Sequence, residues 1–135
     1  MTGQLANRPT GQQDFRDARV LVIGGLGFIG VNLTARPAAL GARVAVLTPN
    51  RARHAADAAA FERQGVEILE GDLREQAGVE THVADRQLIF NLSGQSGAVR
   101  SMEDPWTDLD VNLRGNLVLL EALRARNRCR ISFRG

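Results

Sequence analysis

The most constraining feature of the chain is the apolar run Val20-Leu21-Val22-Ile23, which passes directly into Gly24-Gly25-Leu26-Gly27-Phe28-Ile29-Gly30. A continuous β-branched and aliphatic run suits a strand buried on both faces, as in a parallel sheet. The glycines then recur at a spacing of three before a helical stretch over residues 31–40. That spacing has a chemical reading. Gly24 permits a sharp turn off the strand, Gly27 lets the backbone approach a pyrophosphate, and Gly30 lets helix and sheet pack closely. The helix N-terminus offers free N–H groups and a partial positive charge to phosphate oxygens. The motif predicts a dinucleotide site. The alternative is a glycine turn that serves packing alone.

The rest of the chain continues the alternation of strand and helix. Residues 43–47 form a second apolar strand ended by Thr48-Pro49-Asn50, and 51–64 read as an Ala-rich helix closed by Gly65. Residues 66–70 make a third strand, 74–84 a weaker helix and 87–91 a fourth strand. Asp104 is placed to cap a long helix with Pro105 in its first position. Leu109, Leu113, Leu117, Leu120 and Leu123 form a stripe on that helix expected to face the core. Residues 130–133 read as a fifth strand. Pro37 falls inside the first helix, removes a hydrogen bond to Leu33 and is expected to kink or end it, at a cost of about 3 kcal/mol.

Buried-type strands alternating with helices imply right-handed βαβ units. The expected fold is α/β: a doubly wound parallel sheet of about five strands in the order 3-2-1-4-5. The 135 residues suffice for one domain. Residues 1–17, rich in Gln, Gly, Thr and Asn, read as a disordered polar tail or a fusion remnant, and 18–135 as the domain. A fifth strand at the sheet edge leaves backbone groups unpaired, so self-association or a homo-oligomer is expected.

Composition removes several chemistries. The chain has no Tyr, and all 17 basic residues are Arg. A tyrosine acid/base, a lysine Schiff base and a P-loop lysine are therefore excluded within it. One Cys allows no internal disulfide, and His54 and His82 lack the spacing of a zinc site, so no metal is expected. Arg124, Arg126, Arg128, Arg130 and Arg134 crowd the end, while the other 12 Arg face 15 acids. With only Phe133 among those arginines to stack on a base, the pattern argues against nucleic acid. Residues 20–31 are too short and glycine-rich to span a membrane, and the polar N-terminus carries no signal peptide, so a cytoplasmic location is expected.

An acid after the second strand would bind ribose hydroxyls and select NAD. Here stand Thr48, Pro49 and Asn50, then Arg51 and Arg53. Arg51 is placed to meet a 2′-phosphate, so the choice between NAD and NADP leans to NADP. A solvated helix start explains the same arginines.

Three further matches join the glycine motif. Gly71-Asp72-Leu73-Arg74 follows the third strand and Asn91-Leu92-Ser93-Gly94-Gln95 the fourth; Asp104-Pro105, Asp110-Val111-Asn112 and Leu119-Leu120-Glu121-Ala122 mark the long helix. Together, over about residues 18–135, they resemble the NAD-dependent epimerase/dehydratase family, extended short-chain dehydrogenase/reductases with a Rossmann-like fold that act on nucleotide sugars. The resemblance implies that Gly24, Gly27, Phe28 and Ile29 line the pyrophosphate, with Gly30 completing the motif. It implies that Asp72 and Leu73 hold the adenine, the Asp72 carboxylate accepting from its exocyclic amine. Leu92, Ser93 and Gly94 would pass beneath the ribose and nicotinamide. Asn50 and Arg51, read from the end of the second strand, complete the candidate cofactor-binding residues. Gln95 would point towards the substrate pocket. Asn112 would support the site, an ordinary mid-helix Asn being the alternative. Ser101, Asp104 and Trp106 are expected to shape the helix start, Trp106 by packing.

The departures matter as much. The family's catalysis uses a Tyr and a Lys four residues later, with a Ser or Thr just after the fifth strand. This chain has neither Tyr nor Lys, and Ser132 lies inside the expected strand. No catalytic residue is therefore assigned. The expected function is an NAD(P)-binding portion of a nucleotide-sugar epimerase or dehydratase, inactive alone, with the sugar substrate bound only by an intact homologue. The alternatives are a non-catalytic or redox-sensing NAD(P)-binding module, or a decayed fragment.

Overall fold

A computed structural model describes residues 14–95, 97–126 and 130–133. Residues 1–13 of the expected tail, with Arg128 and Arg134 of the basic end, lie outside the described residues. Residues 14–17 belong to the structure: Phe15 packs against the core, and the Asp17 N–H donates to the Gly41 carbonyl at 2.9 Å.

At the centre of the molecule is β1 (Arg19–Ile23), in which Val20, Leu21 and Val22 have no solvent exposure. It pairs in parallel with β2 (Arg43–Thr48) on one side and β4 (Leu88–Asn91) on the other. β3 (Glu67–Glu70) extends the sheet beyond β2, and β5 (Arg130–Phe133) beyond β4. The order β3-β2-β1-β4-β5 is the expected doubly wound topology.

Alternation along the strands divides the core in two. Leu21, Ile23, Ala45, Leu47 and Ile89 face α3 (Gln76–Val83) and α6 (Gly115–Arg124) through Val79, Val83, Leu119, Ala122 and Leu123. Val20, Val22, Val44, Val46 and Leu88 face the other way, towards α1 (Phe28–Ala39) and α2 (Ala55–Arg63), meeting Leu26, Ala58 and Phe61. A 3₁₀ turn, Ala52–His54, leads into α2. Pro37 is accommodated because it sits in the last turn of α1: the helix ends two residues later, and Gly41, at φ +85°, carries the chain away.

The long helix differs from expectation. A short α4 (Ala98–Glu103) precedes it, and Asp104 does cap α5 (Pro105–Leu109), its Oδ1 accepting from the Thr107 N–H at 3.1 Å. A π-helical turn, Asp110–Arg114, then separates α5 from α6. The leucine stripe is not core. Leu109, Leu113, Leu117 and Leu120 are 43–53% exposed, and of the five only Leu123 is buried. Trp106, expected to pack, is 78% exposed. The buried face is Gly115, Leu119, Ala122 and Leu123. Both stripes satisfy helical periodicity, and the extra residue of a π turn rotates the faces on either side of it.

The two faces differ in energetics. Leu119→Ala should cost about 3 kcal/mol by opening a cavity in a closed core. Leu117→Ala should stay within about 1 kcal/mol, since half of its side chain is already in water. Urea unfolding of both variants measures the contrast, and equal losses would contradict this placement of the faces.

Candidate functional site

The carboxyl ends of β1, β2, β3 and β4 open on a cavity of about 310 Å³, where ligands bind in sheets of this topology. Gly24, Gly27, Asn50, Asp72, Leu73, Leu92, Ser93 and Gly94 all line it. Four turns far apart in sequence are thus brought together. Phe28, Ile29, Gly30 and Arg51 are not in its lining. Phe28 is 92% exposed.

The glycines differ in what they do. Gly24 has φ +77°, and a Cβ there would lie 3.0–3.1 Å from the backbone of Leu92 and Ser93. A Cβ on Gly30 would come within 2.2 Å of the Gly24 carbonyl oxygen, so α1 can cross the β1 turn only with glycine at this position. Gly25 is a constraint the motif reading missed: its Cβ would meet Thr34 Oγ1 at 2.7 Å and Val46 Cγ2 at 2.8 Å. Gly27 is unlike these three. Its φ is −76°, open to any residue, and its Cβ would meet only the Gly24 oxygen, at an ordinary 3.4 Å. The fold itself does not demand glycine there. Behind Gly27, the N–H groups of Phe28, Ile29 and Gly30 precede the first α1 hydrogen bond, from Val31 N–H to the Gly27 carbonyl, and find no backbone acceptor among the described residues.

Asp72 lies beyond β3 and is held by Arg74. Oδ1 accepts from the Arg74 backbone N–H at 2.9 Å and from Nε at 3.0 Å, and Oδ2 accepts from Nη2 at 2.6 Å. Nε is shared, reaching Oδ2 at 3.1 Å as well, so each carboxylate oxygen accepts twice and Arg74 engages all of the group's roughly four acceptor positions. The Arg74 fork also reaches Asp110 Oδ2 at 3.3 Å, tying the β3 turn to the π turn. The Arg74 hydrogen bond holds the Asp72 carboxyl below its ordinary range, and Asp72 raises Arg74 in turn.

The β4 turn is held by a chain of amides. Asn91 is 3% exposed; its Oδ1 accepts from the Ser93 hydroxyl at 2.6 Å, and its Nδ2 donates to Asn116 Oδ1 at 2.6 Å. Asn116 Nδ2 donates to the Asn112 carbonyl at 2.5 Å. Asn112 Oδ1 accepts from the Gln95 N–H at 2.8 Å, and its Nδ2 donates to Asp108 at 2.9 Å. Asn112 thus holds the neighbouring Gln95 loop, an arrangement that both a site support and an ordinary mid-helix Asn facing a loop allow. Asn116 was not visible from motifs; the signal was a second Asn one helical turn after Asn112. At the end of β2, Asn50 Oδ1 accepts from the Arg53 N–H at 3.1 Å. Arg51 is turned away: its guanidinium forms a two-pronged pair with Glu62 of α2, Nη2 donating at 2.8 Å, and that bond raises Arg51 and lowers Glu62.

A glycine-rich turn at the carboxyl edge of a doubly wound parallel sheet defines a Rossmann-type, NAD(P)-binding class of domain. The model of the NAD dependent epimerase/dehydratase family matches residues 20–135, and the chain belongs to that family. It is 30% identical over 121 residues to CDP-paratose 2-epimerase of Salmonella typhi, covering 85% of this chain and 36% of the relative. Among solved structures, UDP-glucose 4-epimerase of Thermus thermophilus, in complex with NAD, is 34% identical with a TM-score of 0.69, over 84% of this chain and 36% of that one. Pen from Bacillus thuringiensis superposes with a TM-score of 0.84 at 20% identity, over 90% and 38% of the two chains, and supports the fold alone. The chain thus spans about a third of the length of these relatives.

The Asp72–Arg74 pair gives a pH-dependent expectation. Asp72 is depressed in the folded state, so the pair's contribution is complete above the unfolded carboxyl value of about 3.9 and is lost as pH falls through the lower folded value. With both side chains about a third exposed, that contribution is about 1 kcal/mol or less. Arg74→Ala should be destabilised by that amount at neutral pH and converge on the parent in strong acid. Denaturant unfolding against pH measures this, and a gap that persists in strong acid would refute it.

Proposed function

We propose that residues 18–135 are the NAD(P)-binding portion of a nucleotide-sugar epimerase- or dehydratase-like protein. Gly27 carries the reading. Neither its backbone angles nor its neighbours require glycine, whereas close approach of a pyrophosphate does. The N–H groups of Phe28, Ile29 and Gly30 then donate to the phosphate oxygens. Asp72 accepts from the adenine amine in place of its longer, shared Nε contact, and Leu73 packs beside the ring. Leu92, Ser93 and Gly94, held by Asn91 and Asn112, form the floor under the nicotinamide ribose. Asn50 borders the adenosine ribose. Arg51 is left out of this set because Glu62 holds it. When bound, the dinucleotide supplies the hydride acceptor for oxidation of a sugar hydroxyl.

This chain's residues bind and orient. They include no Tyr or Lys, so the proton transfer that the family resemblance implies is not supplied by residues 1–135, and the chain is inactive alone. The same absence favours a second reading, a non-catalytic NAD(P)-binding module. Sugar oxidation by a longer form carrying the Tyr and Lys would decide for the first. No described helix is long and apolar enough to cross a membrane, and we place the protein in the cytoplasm.

Calorimetric titration tests the binding claim. The chain should bind NAD(P)+ saturably, and Gly27→Ala should weaken binding at least about tenfold while costing about 1 kcal/mol or less in stability. Undiminished binding by a folded Gly27→Ala variant would refute it. Among the described residues β3 and β5 are the outer strands of the sheet, and an exposed outer strand favours self-association. Sedimentation should show concentration-dependent species, and a monomer at high concentration would count against this.

A further inference from the structure

The side-chain amides behind the β4 turn form a chain of hydrogen bonds that can run in only one direction. Resting on the dinucleotide reading above, we propose that Asn91 and Asn116 are positioning residues that lock the Ser93 hydroxyl as an acceptor. Ser93 then recognises a donating group of the ligand, a hydroxyl of the ribose on the nicotinamide side.

The direction follows from the two ends of the chain. At one end the Ser93 backbone N–H meets Asn91 Oδ1 at 3.1 Å, and an N–H can only donate. At the other end the Asn112 carbonyl meets Asn116 Nδ2 at 2.5 Å, and a carbonyl can only accept. Between them Asn91 Nδ2 donates to Asn116 Oδ1 at 2.6 Å. Turning either amide over would set donor against donor at one of its contacts and acceptor against acceptor at the other. Asn91 is 3% exposed, so water does not relieve such a mismatch. Ser93 Oγ lies 2.6 Å from the same Asn91 Oδ1, which offers lone pairs only, so the one hydroxyl hydrogen lies between them. The anchor of the chain is the π turn: its Gly115 N–H bonds five residues back to Asp110, and the Asn112 carbonyl within it takes the Asn116 side chain.

Ser93 lines the cavity, and no donor among the described residues reaches its Oγ. Its lone pairs are open to a ligand while its hydrogen is not. Such an oxygen favours a hydroxyl and disfavours a phosphate or carbonyl oxygen. The β4 turn also lies against the glycine turn, since a Cβ on Gly24 would stand 3.1 Å from the Ser93 nitrogen. In a dinucleotide the groups flanking the pyrophosphate are the two riboses. Asn50 and Asp72 stand beyond β2 and β3, and Ser93 beyond β4 on the other side of β1, so the ribose at Ser93 is the one remote from adenine.

Calorimetric titration of the chain with three probes tests this: NAD+, an NAD+ analogue lacking both hydroxyls of its nicotinamide ribose, and ADP. NAD+ should bind at least about tenfold tighter than the analogue. Ser93→Ala should cut that ratio at least about threefold, and so should Asn116→Ala, with ADP affinity within about twofold of the parent in both. Unchanged ADP binding marks the effect as one on the ribose contact rather than on the fold. Asn116→Thr should keep the ratio, because its hydroxyl donates to the Asn112 carbonyl and accepts from Asn91. A ratio near one in the parent, or one that survives Ser93→Ala, would overturn the proposal. A ratio unchanged in Asn116→Ala, or equal losses of NAD+ and ADP affinity there, would overturn the positioning role. Should Asn116→Ala not fold, loss of the ratio in a folded Asn116→Thr would do the same. Failure of the underlying reading looks different: a folded chain that binds neither NAD+ nor ADP loses both conclusions, whereas binding of both without preference for the ribose hydroxyls removes the Ser93 assignment alone.

Discussion

A methyl group on residue 30 would stand 2.2 Å from the carbonyl oxygen of Gly24. That contact sets how closely α1 crosses the end of β1, and much else follows from it. The crossing seats α1 on the sheet face formed by Val20, Val22, Val44 and Val46. It also aims the N-terminus of α1 across the carboxyl edge of the sheet. The N–H groups of Phe28, Ile29 and Gly30, without a backbone acceptor among the described residues, follow directly on Gly27, which lines the cavity where four loops converge. The close approach that lets the core form is the same one on which the proposed phosphate site depends.

The other walls of the cavity are held by polar contacts rather than by burial. Arg74 joins the β3 turn to the π turn through Asp72 and Asp110. Asn112, in that π turn, carries the Gln95 segment of the β4 turn. The departure from regular helix at Asp110–Arg114 thus serves as an anchoring point for two loops. It also has a consequence for packing. α6 buries Leu119, Ala122 and Leu123, while Leu109, Leu113 and Leu117 remain on the surface beside Trp106.

Most of the sheet was legible because each strand carries its own unmistakable pattern. Val20–Ile23 and 44–47 are apolar on both faces, and glycine, proline or asparagine follows each. The strand order came with the right-handed crossover rule. The glycine spacing located Gly24 and Gly27 in the cavity lining, the end of the second strand Asn50, and the family resemblance Asp72, Leu73, Leu92, Ser93 and Gly94. Three features were not legible, each for a physical reason. Two leucine faces of the long helix fit the same period, and only the π turn decides between them. Arg51 and Arg53 are equivalent as letters; Glu62, eleven residues after Arg51, separates them through a contact that local pattern cannot show. Gly25 is constrained by Thr34 and Val46, side chains from two other elements.

The central claim is that the turns after β1, β3 and β4 close on one dinucleotide. Hydrogen-exchange mass spectrometry of the chain with and without saturating NADP+ tests it most directly. The account predicts slowed exchange at Phe28, Ile29 and Gly30, whose amides have no backbone acceptor among the described residues, together with residues 72–74 and 92–95. Exchange over 106–117 should change much less. Protection confined to the surface leucines, or no change at Phe28–Gly30 in a chain shown to bind, would contradict it.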